Sequence, residues 1–209
     1  TLDVPALTTA LNQTIARHDA LRSTFNEDGE TQSFAPYLEI EIPVVDLRVM
    51  SRVDREIRIS AILAEEASAI FRLNQGALIR ARLLRLADDE AWLVVTTHHI
   101  VCDGWSTNVI LDELSKLYAA AMSGTPSTLG PAAPYCDYAR DEFSQQKSAE
   151  HSVTEKYWLG QFSAEVEPLS LPSDRPRPAV KSFRGSTCRR LVSADAYQRI
   201  KRAGAKHKC

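Results

Sequence analysis

The sequence predicts an α/β protein in which helices flank an α+β mixed sheet. Stretches with apolar residues at helical spacing alternate along the chain with short, β-branched runs, and no internal repeat is present. This order of elements is typical of a layered α/β structure. The 209 residues are 44% hydrophobic and 25% charged, which is ordinary for a globular protein that needs no disulfide or metal to fold.

The charge pattern and the apolar runs exclude several classes of protein. The net charge is −2 with both signs scattered, so we expect neither nucleic acid nor a membrane surface as a partner. No apolar run approaches the roughly 18 residues that cross a bilayer, and no signal segment begins the chain. We therefore expect a cytoplasmic protein. Thr1 and Cys209 look like cut ends of a longer protein.

The first segments carry clear helix and hairpin signals. Asp3 is suited to cap a first helix that ends near Arg17-His18. Its apolar residues recur every four positions: Leu7, Leu11 and Ile15. Asp28-Gly29 lies between strand-like runs at 21–25 and 31–34, and this arrangement predicts a hairpin.

The middle of the chain predicts a sheet and a second helix. Residues 39–45 are expected to extend the sheet, and residues 51–73 to form the helix. The apolar side of that helix should consist of Val53, Ile57, Leu63, Ala67 and Ile70. Residues 78–86 carry Arg80 and Arg82 and favour a strand with one exposed face. Residues 91–97 are almost wholly apolar, which predicts a central strand buried on both faces.

The rest of the chain is predicted to be mainly helical. A third helix should cover 106–122 and end at Gly124, and a long polar helical region should cover 135–162. A short strand is expected at 187–192, followed by a last helix from Ser193. The aromatic residues expected to pack in the long polar region are Tyr138, Phe143, Tyr157, Trp158 and Phe162.

The segment His-His-Ile-Val-Cys-Asp-Gly at 98–104 follows the predicted central strand. Because neighbouring side chains on a strand point to opposite faces, one histidine should face a cleft and the other should hold the loop through a buried hydrogen bond. A neutral imidazole can accept a proton at neutral pH. An ion pair from Asp103 to Arg17 or Arg22 should hold the loop in shape. Gly104 allows an unusual backbone angle or the close approach of a substrate.

Two other interpretations compete for this segment. A zinc site made of His98, His99, Cys102 and Asp103 fails because the histidines diverge and no second ligand cluster exists, so we predict no metal. A purely structural His-His pair stays open. The chain has no glycine-rich phosphate loop and no Gly-x-Ser-x-Gly elbow. The residues alone therefore favour a histidine-dependent transfer enzyme.

The segment at 98–104 resembles the His-His-x-x-x-Asp-Gly motif of nonribosomal peptide synthetase condensation domains. The segment 17–25 resembles the Arg-His-Glu-x-Leu-Arg-Thr-x-Phe motif of the same family, with Asp for Glu and Ser for Thr. Tyr135-Cys-Asp-Tyr-Ala139 resembles its Tyr-x-Asp-Tyr-Ala motif, and Tyr157-Trp158 and 171–178 occur in the expected order.

This resemblance implies one lobe of a two-lobed, chloramphenicol acetyltransferase-like fold with the active site in a tunnel between the lobes. Residues 1–192 should be the N-terminal lobe without its first segment, and residues 193–209 the truncated start of the C-terminal lobe. The missing C-terminal lobe is thus an expected partner. We expect the isolated fragment to be inactive.

The resemblance also implies a reaction. The amine of an acceptor aminoacyl thioester attacks a donor acyl or peptidyl thioester. Both substrates are linked to phosphopantetheine on donor and acceptor peptidyl carrier proteins, beside an adenylation domain, and no cofactor binds directly.

The resemblance assigns a role to each residue of the motif. His99 should lie at the reaction centre as a base or as an orienting group. His98, Asp103 and Gly104 are expected to be supports, with Asp103 paired to Arg17, or to Arg22 as second choice. Trp105 and Ser106 should line the substrate tunnel.

The motif further favours one subtype of the family. Paired histidines differ from the heterocyclisation relatives, which place an Asp at the start of the motif. Trp105-Ser106 after the glycine fits condensation better than epimerisation. The alternatives are another His-His-x-x-x-Asp-Gly acyltransferase and a non-catalytic lobe that docks carrier proteins.

Overall fold

A computed structural model describes most of the chain, namely residues 2–167, 169–176, 178–180, 185, 188 and 190–208. The chain forms two compact units, the first ending at Leu159 and the second beginning at Gly160. Among these described residues, no helix is long and apolar enough to cross a membrane.

Six helices and five strands make up the described chain. The helices are α1 (Val4–Arg17), α2 (Arg52–Ser68), α3 (Gly104–Ser123), α4 (Tyr135–Gln145), α5 (Ala149–Gln161) and α6 (Ala194–His207). The strands are β1 (Ser23–Phe25), β2 (Gln32–Phe34), β3 (Val44–Asp46), β4 (Ile79–Arg85) and β5 (Ala91–Thr97). A 3₁₀ turn, Asp19–Arg22, joins α1 to β1.

Helices α1 and α3 pack together and supply about half of the buried residues of the main core. The Asp3 carboxylate caps α1 by accepting the Ala6 backbone N–H at 2.8 Å. Gly124 ends α3 in the left-handed conformation, with φ of 66°. The apolar stripes that meet in the core are Leu7, Leu11 and Ile15 of α1, and Ile110, Leu114 and Leu117 of α3. The predicted first and third helices are confirmed.

Two separate sheets form in the first unit. Strands β1 and β2 make the predicted antiparallel hairpin. The second sheet has the order β3-β4-β5, with β3 parallel and β5 antiparallel to β4. Of the residues expected to extend the hairpin sheet, only 44 and 45 enter a strand, and that strand joins the second sheet instead. The predicted extension is therefore wrong.

The predicted central strand is also wrong, because β4 lies in the centre and β5 at an edge of the described sheet. Trp92 of β5 is 46% exposed. Alternate side chains of β4 enter two different cores. Ile79, Ala81 and Leu83 face α1 and α3, and Leu84 packs with Ile62 of α2. The arginines of β4 do not lie on an exposed face, because they form ion pairs with acidic residues of α2.

Helix α2 begins where predicted but ends at Ser68, five residues early, and its predicted apolar side is wrong. Ile62 and Glu66 are its buried residues. The expected core residues are instead exposed: Val53, Ile57, Leu63 and Ile70. Glu66 is buried because Arg80 and Arg82 of β4 supply opposite charges at 3.4 and 2.9 Å.

The long polar region divides into α4 and α5, with residues 146–148 between them. Neither helix buries a side chain, and the aromatic residues predicted to pack there are all more than half exposed. In the second unit, Ser193 caps α6, so the predicted last helix is confirmed. The predicted strand at 187–192 includes residues outside those described.

Candidate active site

The motif at 98–104 forms the connection between the end of β5 and the start of α3. The His98 backbone N–H donates to the Leu78 carbonyl at 2.9 Å and so prolongs the β4–β5 pairing by one residue. The chain then reverses, and the Val101 N–H donates to the His98 carbonyl at 3.1 Å. Helix α3 begins at Gly104. The histidines thus belong to a tight turn at the carboxyl end of a strand.

The two histidines have different environments, as predicted, but both lie in the turn beyond the end of β5, so alternation along the strand is not the cause. His98 is half-buried, and its Nδ1 accepts the Ile100 N–H at 3.1 Å. Its ring stands perpendicular to that of Phe71, with 6.0 Å between the ring centroids. Because Nδ1 accepts, the proton of the neutral ring belongs on Nε2. His99, in contrast, has an exposed side chain. The geometry anchors His98 within the turn and leaves the His99 side chain exposed.

Asp103 does not form the predicted ion pair with Arg17 or Arg22. Its carboxylate caps α3 instead, where Oδ1 accepts the Ser106 N–H at 2.8 Å and the Ser106 hydroxyl at 2.7 Å. The backbone hydrogen bond from Ser106, followed by its hydroxyl, lowers the pKa of this carboxyl. The side chain is exposed, so a capping hydrogen bond from its own helix satisfies it without a distant cation.

Arg17 binds Glu113 of α3, a residue that the sequence analysis missed. Arg17 Nε and Nη2 donate to the two Glu113 carboxylate oxygens at 2.9 and 3.2 Å. Arg17 also donates to the Gly130 carbonyl at 2.8 Å, and His18 Nε2 lies 2.8 Å from Glu113 Oε2. The hydrogen bond from Arg17 lowers the pKa of Glu113 and raises that of Arg17.

A sequence signal for Glu113 existed. It lies three residues after Ile110 and four before Leu117, within the buried stripe of α3, where a carboxylate needs a cationic partner. The Arg17–Glu113 pair therefore joins the end of α1 to the middle of α3. It stabilises the two helices on which the motif turn rests.

Arg22 supports the hairpin rather than the motif. Its guanidinium donates to Asp19 Oδ1 at 2.6 Å and to the carbonyls of Ile15 and Ala35. The other Asp19 oxygen accepts the Tyr135 N–H at 3.2 Å. The segment at 17–25 thus connects α1, the hairpin and the start of α4.

Gly104 has helical backbone angles, so the predicted unusual backbone angle is wrong. A Cβ at this position would meet no atom within 4 Å, and the close approach of a substrate stays a prediction. Trp105 is 81% exposed. With Ser106 and His18 it lines a cavity of about 150 Å³. His99 lines neither this cavity nor the neighbouring one of about 300 Å³ beside Trp105 and Glu113.

The described residues contain no group of three or more His, Cys, Asp or Glu side chains placed to hold a metal ion. Cys102 is buried, with its Sγ 3.6 Å from Thr107 Oγ1 and 3.7 Å from the Asp103 carbonyl. The turn exposes one imidazole, that of His99, together with the capping carboxylate of Asp103.

The family model described as "Condensation domain" matches residues 1–209. The chain belongs to the condensation domain family. Malpinin synthetase of Mortierella alpina is 38% identical over 97% of the chain, and chondramide synthase cmdD of Chondromyces crocatus is 39% identical over 88%. The chain spans only 3% and 5% of these relatives, which are much longer synthetases.

Solved structures agree with this membership of the condensation domain family. The cyclization-docking bidomain of the EpoB nonribosomal peptide synthetase from Sorangium cellulosum matches with a TM-score of 0.77 and 25% identity over 98% of the chain. The X-domain from teicoplanin biosynthesis, solved in complex with OxyB, matches with a TM-score of 0.73 and 31% identity over 88% of the chain. The chain covers 41% and 40% of those two structures. The condensation domain fold, which is chloramphenicol acetyltransferase-like, is thereby established.

Proposed function

We propose that this chain is part of a condensation domain that forms a peptide bond between two thioester-linked substrates, with His99 at the reaction centre. The observation that supports this most directly is the turn after β5. There the condensation domain motif exposes one imidazole, His99, while His98 is anchored by the Ile100 N–H and Phe71. A strand end that leads into a helix is where α/β sheets usually bind ligands.

The proposed step is an acyl transfer. The acceptor amine nitrogen forms a bond to the donor carbonyl carbon, and the bond from that carbon to the thioester sulfur breaks. The proton lost by the amine passes to the departing thiolate, which leaves as a thiol. The step consumes no oxidant or reductant.

His99 could serve as a base or as an orienting group in this step, and we favour orientation of the amine over strong base catalysis. An α-amine has a pKa near 8, so no strong base is required to deprotonate it. Lowering of the barrier can then come mainly from positioning the amine and from stabilising the tetrahedral intermediate. An exposed, neutral imidazole can do both by accepting one hydrogen bond from the amine.

The partners follow from the substrates. We propose that donor and acceptor peptidyl carrier proteins present them on phosphopantetheine and that an adenylation domain neighbours this one. Carrier-linked substrates need no cofactor bound to this chain. We also propose a cytoplasmic location, and that a C-terminal lobe completes the tunnel in which Trp105 and Ser106 form part of the wall.

The test is single-turnover peptide formation by the complete synthetase, with loaded donor and acceptor carriers and mass-spectrometric detection of the product. His99→Ala should lower product formation at least about 100-fold, as loss of an orienting group does. His151→Ala, on the exposed face of α5, is the matched control and should leave the rate unchanged. Near-normal turnover of the His99 variant would refute the catalytic role.

A second experiment tests the expected division into lobes. The 209-residue chain alone, given the same loaded carriers, should form no product, since it covers only 41% and 40% of the condensation-domain structures that it matches. Measurable peptide-bond formation by this chain would contradict that division.

A second candidate function is docking without catalysis. The X-domain that matches this chain was solved in a complex with OxyB, so a condensation domain fold can serve as a binding surface in another protein. Binding of a loaded carrier by the complete synthetase, together with full activity of the His99→Ala variant, would favour this candidate.

A further inference from the structure

We infer that Phe71 and Arg80 are positioning residues that hold His98 and, through it, the turn that carries His99. The inference rests on the proposed function, because it concerns the same turn. Phe71 lies three residues beyond the end of α2, and its ring contacts two groups. The Arg80 guanidinium carbon is 3.8 Å from its centroid, and the His98 ring stands at 88° to it. These three side chains form a continuous path from β4 to the motif.

Arg80 is itself held firmly, so it can serve as the fixed end of this path. Its Nη2 donates to the Glu66 and Ala69 carbonyls, both at 3.1 Å, and its Nε lies 3.4 Å from the Glu66 carboxylate. Glu66 is 8% exposed, and its other oxygen forms an ion pair with Arg82 at an N–O distance of 2.9 Å. Movement of Arg80 would leave carbonyls at the end of α2 without this donor. A guanidinium so fixed offers a cation–π contact to a half-buried ring.

The path reaches the reaction centre through the backbone of the turn. His98 Nδ1 accepts the Ile100 N–H only while the imidazole keeps its orientation. Loss of the Phe71 ring would free the His98 ring to rotate away from that N–H. The turn that presents His99 would then lose its internal side-chain hydrogen bond. Since a misplacement of about 1 Å can cost about 100-fold in rate, small rotations matter here.

Arg82 provides a matched comparison within the same strand. It pairs with Glu66, as Arg80 does, and with Glu65. The cation–π contact with Phe71 belongs to Arg80. Replacing either arginine with glutamine removes one charge beside Glu66, but only the Arg80 change removes the cation over Phe71. A difference between the two variants therefore measures what Arg80 alone contacts, namely the Phe71 ring and the carbonyls at the end of α2, and not the ion pairs with Glu66 that both arginines make.

The experiment measures kcat and KM of peptide formation by the complete synthetase. Phe71→Leu should lower kcat by about 10-fold to 100-fold, with KM for both loaded carriers within about twofold of wild type. Phe71→Tyr, which keeps the ring, should restore kcat. Arg80→Gln should lower kcat more than Arg82→Gln. Equal kcat values for Phe71→Leu and wild type would overturn the inference.

A double-mutant cycle separates positioning from a general loss of stability. If Phe71 acts through His98, adding Phe71→Leu to His98→Ala should cause no further fall in kcat. A fully additive loss would show that Phe71 acts only through the core and would overturn the inference. An active His99→Ala variant would instead refute the proposed function, whereas inactive His99→Ala with fully active Phe71→Leu would refute only this inference.

Discussion

The Arg17–Glu113 pair provides a sharp test of how the two core helices are held together. Replacing Glu113 with alanine removes both hydrogen bonds to Arg17 and the contact with His18. Helix α1 would then keep a partly buried guanidinium without its carboxylate. The loss should appear in the free energy of unfolding, because this pair is a long-range connection across the main core.

The magnitude follows from the burial of the pair. Removing one partner of a fully buried ion pair costs about 3–5 kcal/mol, and a hydrogen bond to a charged group contributes about 1.5–3 kcal/mol. The Arg17 and Glu113 side chains are 21% and 12% exposed, so water reaches both partly. We therefore expect a loss of about 2–3 kcal/mol, which lowers the melting temperature by about 4–12 °C for a chain of this size.

The assay is urea denaturation and thermal melting followed by circular dichroism. The control is Asp112→Ala on the same helix, whose pair with Lys116 at 2.7 Å is about half exposed and contributes at most about 0.5 kcal/mol. Both changes remove one carboxylate from α3. If Glu113→Ala and Asp112→Ala shifted the unfolding midpoint equally, the Arg17–Glu113 pair would not stabilise the core as argued.

Four further predictions follow from the same structure. The lowered pKa of Glu113 means that the stabilisation by its carboxylate is complete above the ordinary pKa of 4.5 and is lost as the pH falls through the lower pKa of the folded state. The difference in unfolding free energy between wild type and Glu113→Ala should therefore shrink in urea titrations at acid pH. A difference that stays constant with pH would contradict this. Asp103→Ala should lower the melting temperature less than Glu113→Ala does, and Asp103→Asn should melt like wild type because Asn also caps helices; equal loss in both Asp103 variants would indicate a charge partner instead. Gly124→Ala should destabilise the protein by about 1 kcal/mol because φ at this position is 66°. Gly160→Ala should stabilise it by about 0.5–1 kcal/mol because Gly160 lies within helix α5, where alanine is preferred to glycine. Urea midpoints of the two variants that move in the same direction would contradict this. Leu11→Ala should cost about 2–5 kcal/mol in urea denaturation because Leu11 is fully buried between α1 and α3, and a loss below about 1 kcal/mol would show a looser core.

Local signals account for what could be predicted of the fold. The start and end of α1, the end of α3 at Gly124 and the hairpin at Asp28-Gly29 depend on caps, turns and spacing within a few residues. Such interactions act over one turn of helix or one reversal of chain, so the sequence displays them directly. The motif at 98–104 likewise identified the family, because it is a contiguous run of residue types.

Long-range pairing accounts for what could not be predicted. Arg17 and Glu113 lie 96 residues apart in the chain, and Asp103 found its partner in its own helix instead. The arginines of β4 suggested an exposed face of the strand, yet both form ion pairs with Glu66 of α2.

The sequence by itself determined the family, both ends of α1, the end of α3 and the position of the paired histidines in the chain. The tertiary structure alone decided which charges pair, that β4 and not β5 lies at the centre of the sheet, and that His98 is anchored by Phe71 while His99 stays exposed. The physical reason is that burial and charge pairing depend on surfaces that folding brings together. The spacing of residues within one segment does not indicate which other segment will pack against that segment.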